Sequence, residues 1–112
     1  MHPKLRWRVE VPVPIVGDRR SGDAVIDDGN AEILVEAETH LDDIQGLERR
    51  LSAKARDLGV KLSLLLVADT RHNRQVVRLH GELRRRFPLD TRAALRSLLA
   101  GQLPTEGALV IL

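Results

Sequence analysis

The most constraining feature of the sequence is a short, almost entirely apolar run, VKLSLLLVADT at residues 60–70. Such a run is typical of a strand that is covered on both faces, as in parallel sheets flanked by helices. The preceding segment has apolar residues at helical spacing, and they form one stripe: Leu41, Ile44, Leu47, Leu51, Ala55 and Leu58. We therefore expect a right-handed strand–helix–strand crossover from residue 31 to 69, with strand 62–69 parallel to strand 31–39.

The chain before this crossover has the alternation of strands. Residues 5–13 read LRWRVEVPV, where Trp7 and the valines alternate with polar residues as in a half-buried strand. Segments 22–27 and 31–39 flank Asp28-Gly29-Asn30, which predicts a hairpin because glycine and asparagine accept a positive φ. These three strands are expected to form an antiparallel meander.

Helix signals define the rest of the chain. Thr39 followed by Asp42 predicts the start of the first helix, and Gly59 predicts its end. An arginine-rich helix is expected over 71–86, a short helix over 90–100 and a final strand in the C-terminal ALVIL. The predicted order is β-β-β-α-β-α-α-β. The predicted fold is α/β, with a mixed four- to five-stranded sheet and flanking helices in one domain, 1–112.

Composition excludes several classes of protein. The absence of cysteine excludes a disulfide scaffold, thiolate metal sites and cysteine nucleophiles. No apolar run approaches the roughly 18 residues that cross a bilayer, and the polar N-terminus is not a signal peptide. We therefore expect a soluble cytoplasmic protein with no membrane partner. Aromatic residues make up only 2%, which argues against stacking platforms for single-stranded nucleic acid.

The net charge of +2 conceals a strong segregation of charge. Residues 18–48 hold ten acidic residues and two arginines, whereas residues 71–96 hold eight arginines and two acidic residues. Three of these arginines, Arg71, Arg74 and Arg78, are candidates for contact with nucleic-acid phosphates, which would make affinity fall with salt. The alternative is a solvated helix face. The charge pattern leaves these two interpretations open.

Carboxylates are the main candidates for chemistry. Alternation along AEILVEAET places Glu36 and Glu38 on one face of the strand. If the hairpin turn is at residues 28–29, opposed residue numbers add up to 57, and Asp23 lies diagonal to Glu36 within about 8 Å. Three such carboxylates need a cation or a shared proton, and oxygen-only ligands favour Mg²⁺ or Mn²⁺. The alternative is an exposed hairpin face, where acidic residues are common.

The helix that follows carries Gln45 and Arg49, one turn apart and pointing the same way. Gln45 is close to the start of the helix, so it can approach the carboxylates. Lys54 lies about 13 Å farther along the helix axis and on roughly the opposite azimuth. We therefore expect Arg49 rather than Lys54 to be the cationic partner of a substrate phosphate, and we expect Lys54 to be solvated.

The runs GDRRSGDAVI, ILVEAETHLDDIQGLERRLSAKARDLG and LSLLLVADTRHNR resemble the PD-(D/E)XK nuclease-like superfamily, which has the restriction endonuclease-like fold. They are similar in particular to small domains that follow helix-turn-helix modules in actinobacterial regulators, over about residues 6–112. The resemblance implies an α-β-β-β-α-β core and metal-dependent cleavage or processing of DNA. Asp23 matches the acidic residue of the second strand, Glu36 the first acidic residue of the third-strand (D/E)-x-Lys motif, and Gln45 a helix glutamine of several branches.

Two departures from this pattern bear on activity. Glu38 stands where lysine is usual, which removes the positive charge beside the attacking water, although some restriction enzymes of the superfamily have glutamate there. Residues 1–5 are too few for the helix that normally precedes the first strand. The expected core therefore lacks a clear first helix, which has been lost, cut off or supplied by a partner.

For an active site the resemblance implies hydrolysis of phosphodiester bonds in DNA. Asp23, Glu36 and Glu38 would hold one Mg²⁺ or Mn²⁺ ion, which polarises the scissile phosphate. Glu38 could also act as a general base, Gln45 would orient the water, and Arg49 would offset developing charge. The alternative is a catalytically inactive interaction or dimerisation module of a transcriptional regulator, with a fused or associated helix-turn-helix domain or as a homodimer.

Overall fold

The computed structural model describes residues 2–9 and 24–112 and has a mixed α/β fold, as predicted. Its strands and helices in chain order are β1 Arg6–Val9, β2 Ala24–Asp27, β3 Glu32–Glu38, α1 Ile44–Leu58, β4 Leu62–Val67, α2 Arg71–Leu79, α3 Gly81–Arg86, α4 Thr91–Leu99 and β5 Ala108–Ile111. The second half of the predicted first strand, residues 10–13, lies outside the described residues.

The five strands form one sheet in the order β1-β2-β3-β4-β5. β1, β2 and β3 pair antiparallel, whereas β4 pairs parallel with both β3 and β5. The antiparallel meander and the parallel crossover are therefore both confirmed. The sheet is antiparallel on one side and parallel on the other, and β3 is the strand at which the two halves meet.

The hairpin register differs from the predicted one by two residues. Asp27 pairs with Glu32 and Ala24 with Val35, so opposed residue numbers add up to 59 rather than 57. The cause is a turn that lies one residue later, at Gly29-Asn30: the N–H of Asp28 donates to the carbonyl oxygen of Ala31, and the Asp28 carboxylate accepts the backbone N–H groups of Asn30 and Ala31, both at 2.8 Å. Because strands have a period of two, this shift leaves every residue on its predicted face.

Helices cover both faces of the sheet. On one face, α1, α2 and α3 pack against β3, β4 and β5 through a cluster that includes Leu34, Leu47, Leu51, Leu65, Val77, Leu83, Phe87 and Leu109. On the other face, α4 packs through Ala94 and Leu98 on a second cluster that includes Ile33, Val35, Leu64 and Val110. The apolar run of β4 therefore has the two-sided burial that its sequence predicts.

The predicted ends of α1 are partly right. The helix begins later than the Thr39–Asp42 arrangement predicts, because its N-cap is Asp43, whose carboxylate accepts the backbone N–H of Gly46 at 3.0 Å. Leu41 is buried but precedes the helix. Gly59 ends the helix in the left-handed conformation, with φ 71°, as predicted.

The arginine-rich segment forms two helices rather than the single predicted helix 71–86. His80 has the non-helical angles φ −109° and ψ 87°, and its ring Nδ1 lies 2.9 Å from the carbonyl oxygen of Val76. Gly81 follows directly, and glycine is a poor helix former.

Trp7 of β1 is more exposed than the alternation predicts, with 51% of its surface accessible.

Candidate functional site

The surface between β3 and α1 carries two ion pairs. In a parallel crossover the helix runs back along the strand before it, so α1 is antiparallel to β3. Four helix residues advance about 6 Å and two strand residues about 6.6 Å. Arg50 and Lys54 on α1 therefore match Glu38 and Glu36 on β3, and each cation does contact its glutamate.

The Glu36–Lys54 pair is buried. The ammonium group Nζ of Lys54 lies 2.8 Å from Oε2 and 3.1 Å from Oε1 of Glu36, so it contacts both carboxylate oxygens. The side chains of Lys54 and Glu36 are only 11% and 7% exposed. Burial of two charges removes their hydration, and the mutual attraction barely offsets that loss. An ion pair in this position is therefore not explained by stability alone.

The Glu38–Arg50 pair is looser and nearer to solvent. Its shortest distance is 3.5 Å, and the side chains of Arg50 and Glu38 are 41% and 23% exposed. Ion pairs with such exposure contribute little to stability because water screens them. The two glutamates of β3 thus lie on one face, in different environments.

Lys54 is the site residue that sequence reasoning misplaced. The expectation that it is solvated is wrong, since its side chain is nearly covered and bound to Glu36. A usable signal was present: Lys54 follows Leu47 by seven residues and Leu51 by three, so it continues the apolar stripe that faces the sheet. A lysine in that stripe has to be paired, and the strand beneath α1 supplies the carboxylate.

Gln45 and Arg49 lie on another side of α1. Both are exposed, and they line a shallow depression of about 570 Å³ on the outer surface. Its other lining residues are Glu48, Ser52, Ala53, Arg56 and Arg86, so neither Glu36 nor Glu38 belongs to it. The structure brings Gln45 and Arg49 together with each other but not with the β3 carboxylates.

The predicted metal ligand Asp23 lies outside the described residues. Within residues 2–9 and 24–112, no three histidine, aspartate or glutamate side chains are arranged to hold a metal ion. Glu36 and Glu38 supply carboxylate oxygens on one face of β3. The three-carboxylate site therefore remains a prediction from the sequence.

The predicted nucleic-acid contacts on α2 are all at the surface. Arg71, Arg74 and Arg78 are exposed. Arg74 donates two hydrogen bonds to the Asp69 carboxylate, at 2.5 and 3.0 Å, and this guanidinium lowers the pKa of Asp69 below its ordinary value. Arg74 is therefore already neutralised, whereas neither Arg71 nor Arg78 has a carboxylate within 4 Å in the described part of the chain.

A buried polar residue that the sequence did not reveal lies at the carboxyl ends of β3 and β4. Asn73 is fully buried, donates to the carbonyl oxygens of Thr39 and Ala68, and accepts the backbone N–H of Leu41 at 2.8 Å. These bonds fix the segment that joins β3 to α1. The only local signal is that Asn73 precedes the apolar Val77 by one helical turn, on the same face.

Two histidines pack beside this asparagine. The rings of His40 and His72 are stacked, with centroids 4.1 Å apart, and Nε2 of His72 lies 2.6 Å from the carbonyl oxygen of Leu41. Because a carbonyl only accepts, this nitrogen of His72 carries the proton. The pair reinforces the same connection between β3 and α1, so we assign it a structural role.

Comparisons with known proteins do not place the chain in a family. No family model matches it, and no curated protein or solved structure matches it either. Among the helices of the described segments, none is both long enough and apolar enough to cross a membrane. The charged residues of α1 and β3 carry the structural indications of function.

Proposed function

We propose that the chain is a metal-dependent nuclease-like domain that hydrolyses phosphodiester bonds in DNA. The observation that carries this proposal is the buried pair between Glu36 and Lys54. Glu36 is at the position where the resemblance expects the first acidic residue of the third-strand motif. The motif usually has lysine at position 38, where this chain has glutamate. In our proposal Lys54 of α1, which contacts the Glu36 carboxylate, takes the place of that lysine.

The energetics of the pair support a functional reason for it. Replacing a buried ion pair by apolar residues of similar size is often neutral or stabilising in proteins. Leu47 and Leu51, the apolar residues beside Lys54 in the stripe, are fully covered. A leucine at position 54 would extend that packing, so the presence of Lys54 favours a role in chemistry rather than in folding.

Carboxylate oxygens are the donors that Mg²⁺ and Mn²⁺ prefer, but in the described residues Glu36 and Glu38 contact α1 cations and a third ligand is missing. Glu36 and Glu38 project from the same face of β3 and offer carboxylate oxygens, which these hard cations prefer. Asp23 remains the predicted third ligand. When bound, the ion supplies Lewis-acid polarisation of the scissile phosphate.

The chain's own residues have distinct roles in this proposal. The ammonium group of Lys54 offsets the negative charge that develops on the phosphate oxygens. Glu38 is the more exposed carboxylate, so it is the one that can accept a proton from the attacking water. Arg50 holds Glu38 from the helix side. Arg49 is not assigned this cationic role, because it lines a depression that does not contain the carboxylates.

Plasmid nicking with Mg²⁺ or Mn²⁺ tests the proposal. We expect nicking by the intact chain and a loss of at least about a hundredfold in Glu36→Gln and Lys54→Gln, the range for removing an electrostatic or acid–base group. Asp23→Ala tests the predicted third ligand. The matched control is Glu106→Gln, an exposed glutamate near β5 that should leave nicking unchanged. Nicking that persists in all variants would indicate a contaminating nuclease and overturn the proposal.

Metal binding can be measured without activity. Mn²⁺ at a hundred times its dissociation constant should raise the free energy of unfolding by about 2.7 kcal/mol. The increase should disappear in the Glu36→Gln/Glu38→Gln double variant and persist in Glu106→Gln. Thermal melting with and without Mn²⁺ is the measurement, and equal melting temperatures for the intact chain would remove the metal from the proposal.

The second candidate is a catalytically inactive interaction or dimerisation module of a transcriptional regulator. It is favoured by the neutralisation of both β3 glutamates by α1 cations and by the lack of a three-ligand group in the described segments. This candidate predicts no nicking and no stabilisation by Mn²⁺. It also predicts a concentration-dependent dimer, or a stable complex with a helix-turn-helix domain, in light scattering.

A further inference from the structure

The outer surface of α1 carries a row of polar and basic side chains that face away from the sheet. Arg49, Ser52 and Arg56 follow one another at helical spacing, and Arg86 of α3 lies beside them in the same depression. We call these four residues the outer arginine face. It is separate from the surface that holds Glu36 and Glu38, since none of its residues contacts either glutamate.

The arginines of this face form no ion pair among the described residues, although Glu48 lines the same depression. In the part of the chain that the structure describes, no carboxylate lies within 4 Å of Arg49, Arg56 or Arg86. By contrast, Arg50 and Arg74 each contact an acidic side chain. Three guanidinium groups around one depression repel one another, and a bound anion relieves that repulsion.

One of the three guanidinium groups is already held in position. Arg86 donates a hydrogen bond from Nη2 to the Ser52 hydroxyl at 2.9 Å, and its guanidinium lies 5.8 Å from the centre of the Phe87 ring. Phe87 is buried and anchors this end of α3. A group that is fixed before binding loses less conformational entropy when a ligand binds. Arg86 therefore provides a preorganised contact.

The row is extended rather than cup-shaped. Arg49 and Arg56 are seven residues apart, which places them about 10.5 Å apart along the helix axis and within about 20° of the same azimuth. Three base pairs of DNA advance about 10 Å along the duplex. Guanidinium groups also bind phosphates through two parallel hydrogen bonds. A row with these dimensions fits two phosphates about three nucleotides apart on a nucleic-acid strand better than a single small anion.

Glu48 is the acidic residue of the depression, and its Oε1 atom is buried with no hydrogen-bond partner among the described residues. Its charge opposes an approaching anion. The residue therefore offers a variant that should strengthen binding, because Glu48→Gln keeps the size of the side chain and removes the charge. If the surface binds phosphates, Glu48→Gln should raise the affinity, whereas the loss of an arginine should lower it.

We propose that the outer arginine face binds the phosphate backbone of DNA. The arginines 71, 74 and 78 of α2 were the contacts expected from the sequence, whereas this face adds a site on α1 and α3. The inference goes beyond the hydrolytic proposal because binding here requires neither a metal ion nor Glu36. The surface positions the duplex, and sequence is not read by such contacts.

Fluorescence anisotropy with a short labelled duplex in EDTA tests the binding surface. We expect the Arg49→Ala/Arg56→Ala variant to bind about tenfold more weakly and to lower the slope of log affinity against log salt by about 1.8. Glu48→Gln should bind more tightly than the intact chain. The matched control is Arg92→Ala/Arg96→Ala, which removes two exposed arginines from α4 on the other side of the sheet and should bind nearly as the intact chain does.

Three results would overturn the inference: equal losses in both double variants, an unchanged salt slope in the α1 variant, or weaker binding by Glu48→Gln. A parallel titration with phosphatidylserine vesicles identifies the partner, since selective loss of vesicle binding with unchanged DNA binding would point to a membrane surface instead. Melting temperatures of all variants confirm folding. EDTA prevents metal-dependent hydrolysis, so a failure to bind DNA in this assay can be distinguished from a failure to cleave DNA in the nicking assay.

Discussion

On its inner face α1 places Lys54 against a buried glutamate, whereas on its outer face it places Arg49 and Arg56 against solvent. The two faces belong to one 15-residue helix and carry the same sign of charge. The inner cations are neutralised by β3, and the outer ones have no carboxylate within 4 Å among the described residues. The position of each cation relative to the apolar stripe therefore determines whether it pairs with a β3 glutamate or is exposed to solvent.

The comparison separates two uses of positive charge. A cation buried against a carboxylate is fixed in one geometry. Its interaction with a nearby charge is strong, because the protein interior has a low dielectric constant. A cation at the surface is screened by salt, and it attracts a polyanion by releasing the counter-ions of that polyanion. In our proposals the inner face provides charge at the reacting phosphate, and the outer face holds the duplex.

The largest expected effect follows from breaking the inner pair. Lys54→Met leaves Glu36 in a buried position without the Lys54 ammonium group, and such changes cost about 3–5 kcal/mol of unfolding free energy. Urea unfolding at neutral pH measures this loss. The corresponding loss for Arg49→Met on the outer face should stay within about 0.5 kcal/mol, because that side chain is exposed.

A second variant separates the loss of charge pairing from the loss of packing. Glu36→Leu/Lys54→Met removes both charges, and its stability should return to within about 1 kcal/mol of the intact chain or exceed it. If the double variant is as unstable as Lys54→Met alone, the cost lies in the shape of the lysine side chain. That outcome would contradict the account of the inner face as a compensated charge pair.

A smaller effect is expected at the other inner pair. Arg50→Gln should lower the free energy of unfolding by no more than about 1 kcal/mol, because the pair with Glu38 is partly exposed and 3.5 Å long. Added salt should shrink the difference further. Urea unfolding at low and high salt measures this difference. A loss of unfolding free energy as large as that of Lys54→Met would show that burial does not determine how much each pair contributes to stability.

The smallest effect concerns a surface pair on α2. Arg74 holds the pKa of Asp69 below its ordinary value of 3.8 in the folded chain. The stabilisation is therefore complete above pH 3.8 and is lost as the pH falls through the lower folded pKa. The stability difference between the intact chain and Asp69→Asn should shrink over that acidic range in urea titrations. A difference that grows on acidification would show that the pair is not formed in solution.

The fold was accessible from the sequence because its signals are local. The apolar run of β4 predicts two-sided burial, and the alternation along β3 predicts which residues share a face. The hairpin register was predicted wrongly by two residues, because the turn lies at Gly29-Asn30 rather than at Asp28-Gly29. The break at His80 was missed because an arginine-rich helical pattern continues across it.

The candidate site was less accessible, because it depends on contacts between distant parts of the chain. The contact of Lys54 with Glu36 follows from its place in the leucine stripe of α1, whereas a comparison of helix positions between Lys54 and Gln45 predicts a solvated side chain. Asn73 binds residues more than 30 positions away, and no local pattern encodes such bonds. Asp23 remains a prediction from the sequence, as do the metal ion and the hydrolysis of DNA.

Single-turnover plasmid nicking, measured against protein concentration, tests the separation of the two faces most directly. The maximal rate reports the chemical step, and the half-saturating concentration reports DNA binding. We predict that Lys54→Gln lowers the maximal rate with little change in half-saturation. Arg49→Ala/Arg56→Ala should raise the half-saturating concentration about tenfold at an unchanged maximal rate. No nicking by the intact chain, or equal effects of both variants on both quantities, would contradict the account.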